Sequence, residues 1–117
     1  MLPINRRVKK ESFEKIMKEG IFLHADHFYL RFLDRKDDSP SLFSFVVPAK
    51  VKKTSVGRHL IKRKMTAVVE KALANIVSGF SVVVFAKKDV SVLPYGEIKK
   101  EILALLVKAK ILNKGSF

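Results

Sequence analysis

Apolar residues recur along this chain with two different periods, and the changes of period mark out its elements. In Lys10–Glu19, KESFEKIMKE, the apolar residues Phe13, Ile16 and Met17 stand at i, i+3 and i+4. That spacing is one face of a helix, and Gly20 suits its C-terminal cap. IFLHA (21–25) reads as a short strand. HFYLRFL (27–33) alternates, with Phe28, Leu30 and Phe32 on one face and Tyr29, Arg31 and Leu33 on the other. DRKDDSPS (34–41) is a polar loop with a Ser-Pro turn signal. LFSFVVPA (42–49) is the next strand, with Pro48 near its end. The loop and its two flanking strands read as a β-hairpin or meander.

A long helix follows from Thr54 to Val77. Thr54 or Ser55 can accept from the first free amides as N-cap, and Ser78-Gly79 ends it. FSVVVFA (80–86) is β-branched and almost wholly apolar, the pattern of an interior strand covered on both faces. After the connection KKDVSVLPYG, Tyr95 to Ala109 forms an amphipathic helix with Ile98, Ile102, Leu105, Leu106 and Ala109 inward. Residues 1–9 read as extended and 113–117 as a frayed tail. The order is α-β-β-β-α-β-α, without internal repeat or interdomain linker, in a single domain over residues 1–117.

Charge changes the picture at the long helix. The run KVKKTSVGRHLIKRK (50–64) carries seven Lys or Arg in fifteen residues, and no acid occurs between Asp38 and Glu70. At about 100° per residue, Ile61, Met65, Val68, Ala72 and Ile76 form one stripe. Arg58, His59, Lys62, Arg63 and Thr66 form the adjacent face. One side anchors the helix to a sheet, while the next holds cations at fixed spacing. Lys50, Lys52 and Lys53 extend the patch through the loop before the helix, and the helix N-terminus adds partial positive charge and free amides. A phosphate backbone is a periodic line of anions, which such a row meets without first losing the freedom of a disordered arm.

The whole composition agrees with this. Lys and Arg total 24 against 11 Asp and Glu, a formal charge of +13. Self-repulsion on that scale is tolerated where a polyanion is the partner. Hydrophobic residues make up 48%, so the chain folds rather than serving as a disordered basic arm. There is no cysteine, which excludes disulfides and thiolate zinc sites. The apolar runs fall far short of the roughly twenty residues that span a bilayer, and no apolar region follows the basic N-terminus as a secretory signal would require. The expectation is a soluble, cytoplasmic nucleic-acid binder with no membrane partner.

No catalytic constellation can be assembled. His24, Asp26 and His27 are a loose grouping, but His24 and His27 lie three apart in extended chain and point to opposite faces, so no metal site is expected. Asp34, Asp37 and Asp38 sit among turn formers, where Asp is common for local reasons. There is no Gly-rich phosphate loop. His59, set among cations, lacks a carboxylate partner nearby in sequence. Most of the nine Phe read as core. Tyr29 with Arg31 sets a ring and a cation on the strand face opposite Phe28 and Phe32, and Phe13 and Met17 either pack or line a groove. Two other classes remain open: a structural RNA-binding protein, ribosomal or chaperone, and a basic amphipathic helix at a membrane surface.

Taken together, these motifs resemble the protein subunit of bacterial ribonuclease P. That family shows a strand, a lysine-rich loop and then an Arg-Asn-Arg-x-Lys-Arg helix. In FSFVVPAKVKKTSVGRHLIKRKM, Arg58, Ile61, Lys62 and Arg63 match, His59 replaces the Asn and Leu60 the second Arg. VKKESFEKIMKEG is similar to the family's opening helix and FSVVVFAKKD to its last strand, so the likeness covers nearly the whole chain. The resemblance implies a two-layer α/β sandwich with a left-handed β-α-β crossover, against the general right-handed rule. It also implies an endoribonuclease holoenzyme in which the RNA subunit uses Mg²⁺ to remove the 5′ leader of precursor tRNA, with no cofactor held tightly by this chain. The protein would bind that RNA and hold the leader in a cleft between the sheet and the long helix, at Phe13, Met17 and Arg31. Its signature helix would supply Arg58, His59, Lys62 and Arg63.

Overall fold

A computed structural model describes residues 6–113. Of the start expected as extended (1–9) and the tail expected as frayed (113–117), residues 1–5 and 114–117 lie outside the described residues. The elements are α1 (Lys10–Glu19), β1 (Ile21–His24), β2 (Phe28–Asp34), β3 (Leu42–Val46), α2 (Ser55–Ala72), β4 (Phe80–Ala86) and α3 (Tyr95–Lys108). This is the predicted order, and the fold is mixed α+β on one four-stranded sheet.

The sheet order is β1-β2-β4-β3. β1 and β2 form an antiparallel hairpin, and β4 pairs antiparallel with β2 and parallel with β3. The hairpin expected between β2 and β3 is therefore absent: β4 inserts between them. The reason lies in FSVVVFA. Val82, Val83 and Val84 are fully buried, so β4 is apolar on both faces and belongs inside the sheet with both edges paired. A parallel partner requires a long crossover, which α2 supplies.

Arg35 then holds the displaced 34–41 loop against β4. It donates to the carbonyls of Phe80 (2.5 Å) and Pro40 (2.9 Å) and to Ser81 Oγ (2.8 Å).

One face of the sheet carries most of the core. Phe28, Leu30, Phe43, Val82 and Val84 pack with Ile61, Met65 and Val68 of α2 and with Ile98, Ile102 and Leu106 of α3. The predicted apolar stripe of α3 is buried there, as is that of α2 from Ile61 to Ala72. The opposite face carries α1, whose Ile16 is fully buried with Val83 and Phe85. The expected sandwich is thus present, with α1 as a further short layer on the other side.

The end of the long helix differs from the expectation. The long helix stops as α-helix at Ala72, continues as a 3₁₀ turn through Asn75 and leaves Ile76 extended. Ile76 bridges Leu112, and Val77 N–H donates to the Ile111 carbonyl at 2.8 Å. Pairing with the chain after α3 thus competes successfully with further helical turns, and Ile76 leaves the helical stripe. At the other end of α2, Thr54 is the N-cap, accepting from Gly57 N–H at 3.1 Å. Gly20 does cap α1, but through space rather than a left-handed turn. Its φ is −69°, and a Cβ there would lie 2.4 Å from the Ile16 carbonyl oxygen.

Among the described residues no helix is long and apolar enough to cross a membrane.

Candidate nucleic-acid interface

α2 is seated by its apolar stripe, so the orientation of its polar side is fixed by the core. His59, Lys62 and Arg63 are exposed and line a groove of about 520 Å³ between α2 and β3. Its other wall includes Phe43, Ser44 and Phe45, and Arg7, Thr66 and Glu70 also border it. Arg58 joins the same groove further along, beside Val46 and Val47. β3 is an edge strand; among the described residues its Phe43 is bridged outward, by Arg7, with Val8 N–H donating to the Phe43 carbonyl at 3.1 Å. The groove therefore runs along the β3 edge of the sheet.

The seven basic positions singled out in the sequence have different structural situations. Lys50, Lys53, His59, Lys62 and Arg63 have exposed side chains with no hydrogen-bond or carboxylate partner among the described residues. Lys52 is different: its Nζ lies 3.1 Å from Oδ2 of Asp89. Arg58 is half-buried, and its Nη1 donates to the carbonyls of Lys53 (2.8 Å) and Lys52 (3.0 Å). It clamps the loop that carries Lys50, Lys52 and Lys53. The first turn of α2 contains no acid, so the positive end of the helix dipole stays uncompensated there.

Leu60, in the place of the family's second Arg, is 50% exposed and lies outside the groove lining.

Phe13, Met17 and Arg31 are brought together, but on the α1 face rather than beside α2. Phe13 and Met17 are half-buried against the Ile16–Val83–Phe85 cluster. Arg31 Nη1 donates to the Met17 carbonyl at 3.2 Å, in the last turn of α1, where the helix dipole favours a cation. This group packs with the Val83–Phe85 cluster, on the face of the sheet opposite the core that seats α2.

The loose His24–Asp26–His27 grouping resolves into structural contacts. His27 is bonded to Glu101 of α3. Asp26 pairs with Lys88 at 2.7 Å, and this hydrogen bond, with the lysine charge, lowers its pKa below 3.8. His24 stacks on Phe22. Among the described residues no three His, Asp or Glu are placed to hold a metal ion. Sequence reasoning missed Glu101, which looks like any polar residue on an amphipathic helix. It also passed over Phe22, which alternation within IFLHA groups with His24 and which only the β1–β2 register sets opposite Arg31.

Comparison with known proteins decides which basic α+β fold this is. The family described as Ribonuclease P matches residues 2–110. The chain belongs to that family. It is 32% identical over 116 residues to a ribonuclease P protein component of Streptococcus pneumoniae, covering 96% of this chain and 90% of that protein. It is 27% identical to that of Rippkaea orientalis, covering 93% and 89%. Among solved structures, the RNase P protein of Staphylococcus aureus aligns with a TM-score of 0.82 at 21% identity, covering 95% of this chain and all of that one. The RNase P protein of Thermotoga maritima aligns at 0.78 and 25% identity, covering 87% and 96%. Family membership accounts for a basic helix on a crossover between parallel strands, the feature that charge alone left open to several classes of partner.

Proposed function

We propose that this chain is the protein subunit of a bacterial ribonuclease P holoenzyme. It binds the catalytic RNA and precursor tRNA and assists removal of the 5′ leader. The observation that carries this reading is the exposed row His59, Lys62 and Arg63 on a helix whose other side is buried in the core. Lys50 and Lys53, on a loop clamped by Arg58, extend it.

Hydrolysis belongs to the RNA subunit and its Mg²⁺, and no step is assigned to a metal on this chain. The protein's residues lower the repulsion between two RNAs and hold the substrate. A row of cations displaces the counterions condensed on RNA, so binding falls steeply with salt. The α1 face, with Phe13, Met17 and Arg31, is the place for the leader. Met17 offers a polarizable apolar contact, and Arg31 a guanidinium that can stack on a base.

The deciding experiment is reconstitution. The purified chain, added to a bacterial ribonuclease P RNA at low Mg²⁺, restores leader cleavage. A purely structural RNA-binding protein would bind the same RNA and leave cleavage where it was, and that outcome would refute the proposal. Precursor tRNA binds the reconstituted complex more tightly than mature tRNA. Equal affinity would remove the leader from the assignment.

A further inference from the structure

The α1 face of the sheet is not covered evenly. α1 packs over β2 and β4, while the β1 end of the same face lies open. There Phe22 is 46% exposed, and His24 is exposed beside it. Strand register sets Phe22 opposite Arg31 and His24 opposite Tyr29, and Tyr29 opposite Phe85. A line of rings results. Tyr29 lies on Phe85 with centroids 4.5 Å apart and planes within 6°. Phe22 meets Tyr29 at 5.1 Å, and His24 stacks on Phe22 at 5.6 Å.

Arg31 closes the arrangement. Its guanidinium carbon lies 5.2 Å from the centroid of the Phe22 ring, while its Nη1 is held by the Met17 carbonyl. Its buried Nε has no partner among the described residues. A single exposed Phe is ordinary. Here, however, the ring is fixed by a cross-strand cation that a helix terminus positions in turn. A planar ligand stacking on it finds the geometry already formed.

We infer that Phe22, with Arg31 over it, is a stacking subsite for an unpaired base of single-stranded RNA at the β1 edge of the α1 face. Aromatic stacking tolerates any base, because every base has a π-face, and Arg31 adds a cation for that base or its phosphate. A second copy of the chain is the competing occupant. Two bodies of charge +13 repel one another, and β1 offers an edge of only four residues. The subsite rests on the reading above in one respect, that the single strand is the leader.

The test measures binding of a fluorescein-labelled eight-nucleotide single-stranded RNA to the full chain by anisotropy at fixed salt, beside an RNA duplex of equal charge. Phe22→Ala weakens the single strand about tenfold, the order that one ring–base stack carries, and leaves the duplex unchanged. Phe22→Tyr retains binding, whereas Phe22→Leu, which keeps an apolar strand residue, loses it. Ultraviolet cross-linking of a 4-thiouridine oligonucleotide maps to β1. Parental affinity in both Phe22→Ala and Phe22→Leu overturns the inference. So does equal weakening of single strand and duplex, or sedimentation showing a dimer that Phe22→Ala dissolves. Reconstituted cleavage separates the two proposals: intact oligonucleotide stacking without cleavage would sink the holoenzyme reading and keep the subsite.

Discussion

Glu101 on α3 holds two polar groups of His27 with one carboxylate. The backbone N–H of His27 donates to Oε2 at 2.7 Å, and the ring Nδ1–H donates to Oε1 at 2.9 Å. These residues are 74 apart in sequence, so the pair ties α3 to the β1–β2 turn. Both side chains are largely shielded, at 26% and 19% exposure, which protects the contact from water. Glu101→Ala is expected to destabilise the fold by about 1–3 kcal/mol, the range for hydrogen bonds to a charged group with one partner removed. Glu101→Gln keeps an acceptor and loses less. Urea unfolding of the three proteins checks the order, and equal midpoints would show that the tether contributes nothing.

Gly79 sits at φ +94°, and a Cβ there would lie 2.6 Å from the Asp37 carbonyl oxygen. Its N–H donates to the Ser39 carbonyl, and its own carbonyl accepts from Arg35 N–H. Gly79→Ala therefore meets both backbone strain and a steric clash. A loss of about 1–3 kcal/mol is expected, read as a lower melting temperature. Gly96, with nothing within 4 Å of its Cβ position, is the control: Gly96→Ala in the first turn of α3 is neutral or stabilising.

The two kinds of cation on the patch should separate experimentally. Lys62→Ala with Arg63→Ala removes two exposed charges and leaves the core untouched, so stability stays within about 0.5 kcal/mol of the parent. RNA affinity falls, and the slope of log K against log salt drops by roughly two contacts. Arg58→Ala instead frees the carbonyls of Lys52 and Lys53 and loosens the loop. It is expected to lower stability as well as affinity. Anisotropy titrations across a salt series, paired with thermal melts, distinguish these patterns. An unchanged salt slope in the double variant would show that those two side chains touch no phosphate.

Asp89 gives a pH prediction. The Ser91 hydroxyl, the Ser91 N–H and the Lys52 ammonium hold its carboxyl down from 3.8 to about 2. A depressed folded-state pKa means that the stabilisation is fully present above 3.8 and is lost as pH falls toward 2. Ser91→Ala removes the largest cause, so the carboxyl should titrate closer to 3.8. Carbon-detected NMR titration of the Asp89 carboxyl measures this directly. A parental titration near 3.8 would show that the Ser91 and Lys52 contacts do not persist in solution.

Much of this molecule is legible in one dimension. The 3.6-residue stripes placed Ile61, Met65 and Val68, and Ile98, Ile102 and Leu106, in the core, because a helix buries whichever side is apolar. The same geometry put His59, Lys62 and Arg63 on one exposed side of α2. Strand alternation likewise placed Tyr29 and Arg31 on the face opposite Phe28 and Phe32. Periodicity is a local property, and local sequence determines it. Which strands become neighbours is not local. The 34–41 loop is equally compatible with a hairpin, and only competition for the two edges of β4 sends β3 to its far side. The end of α2 was decided in the same way, by Ile111 and Leu112 returning to pair with Val77 and Ile76. Arg58 and Lys52 read as free cations until the folded loop brought carbonyls and Asp89 to them. The stack of Arg31 on Phe22 exists only because the β1–β2 register sets those two residues opposite one another. Sequence alone determined which side of each element is apolar or charged. Tertiary structure decided which of those sides meet, because pairing depends on competition among segments far apart in the chain.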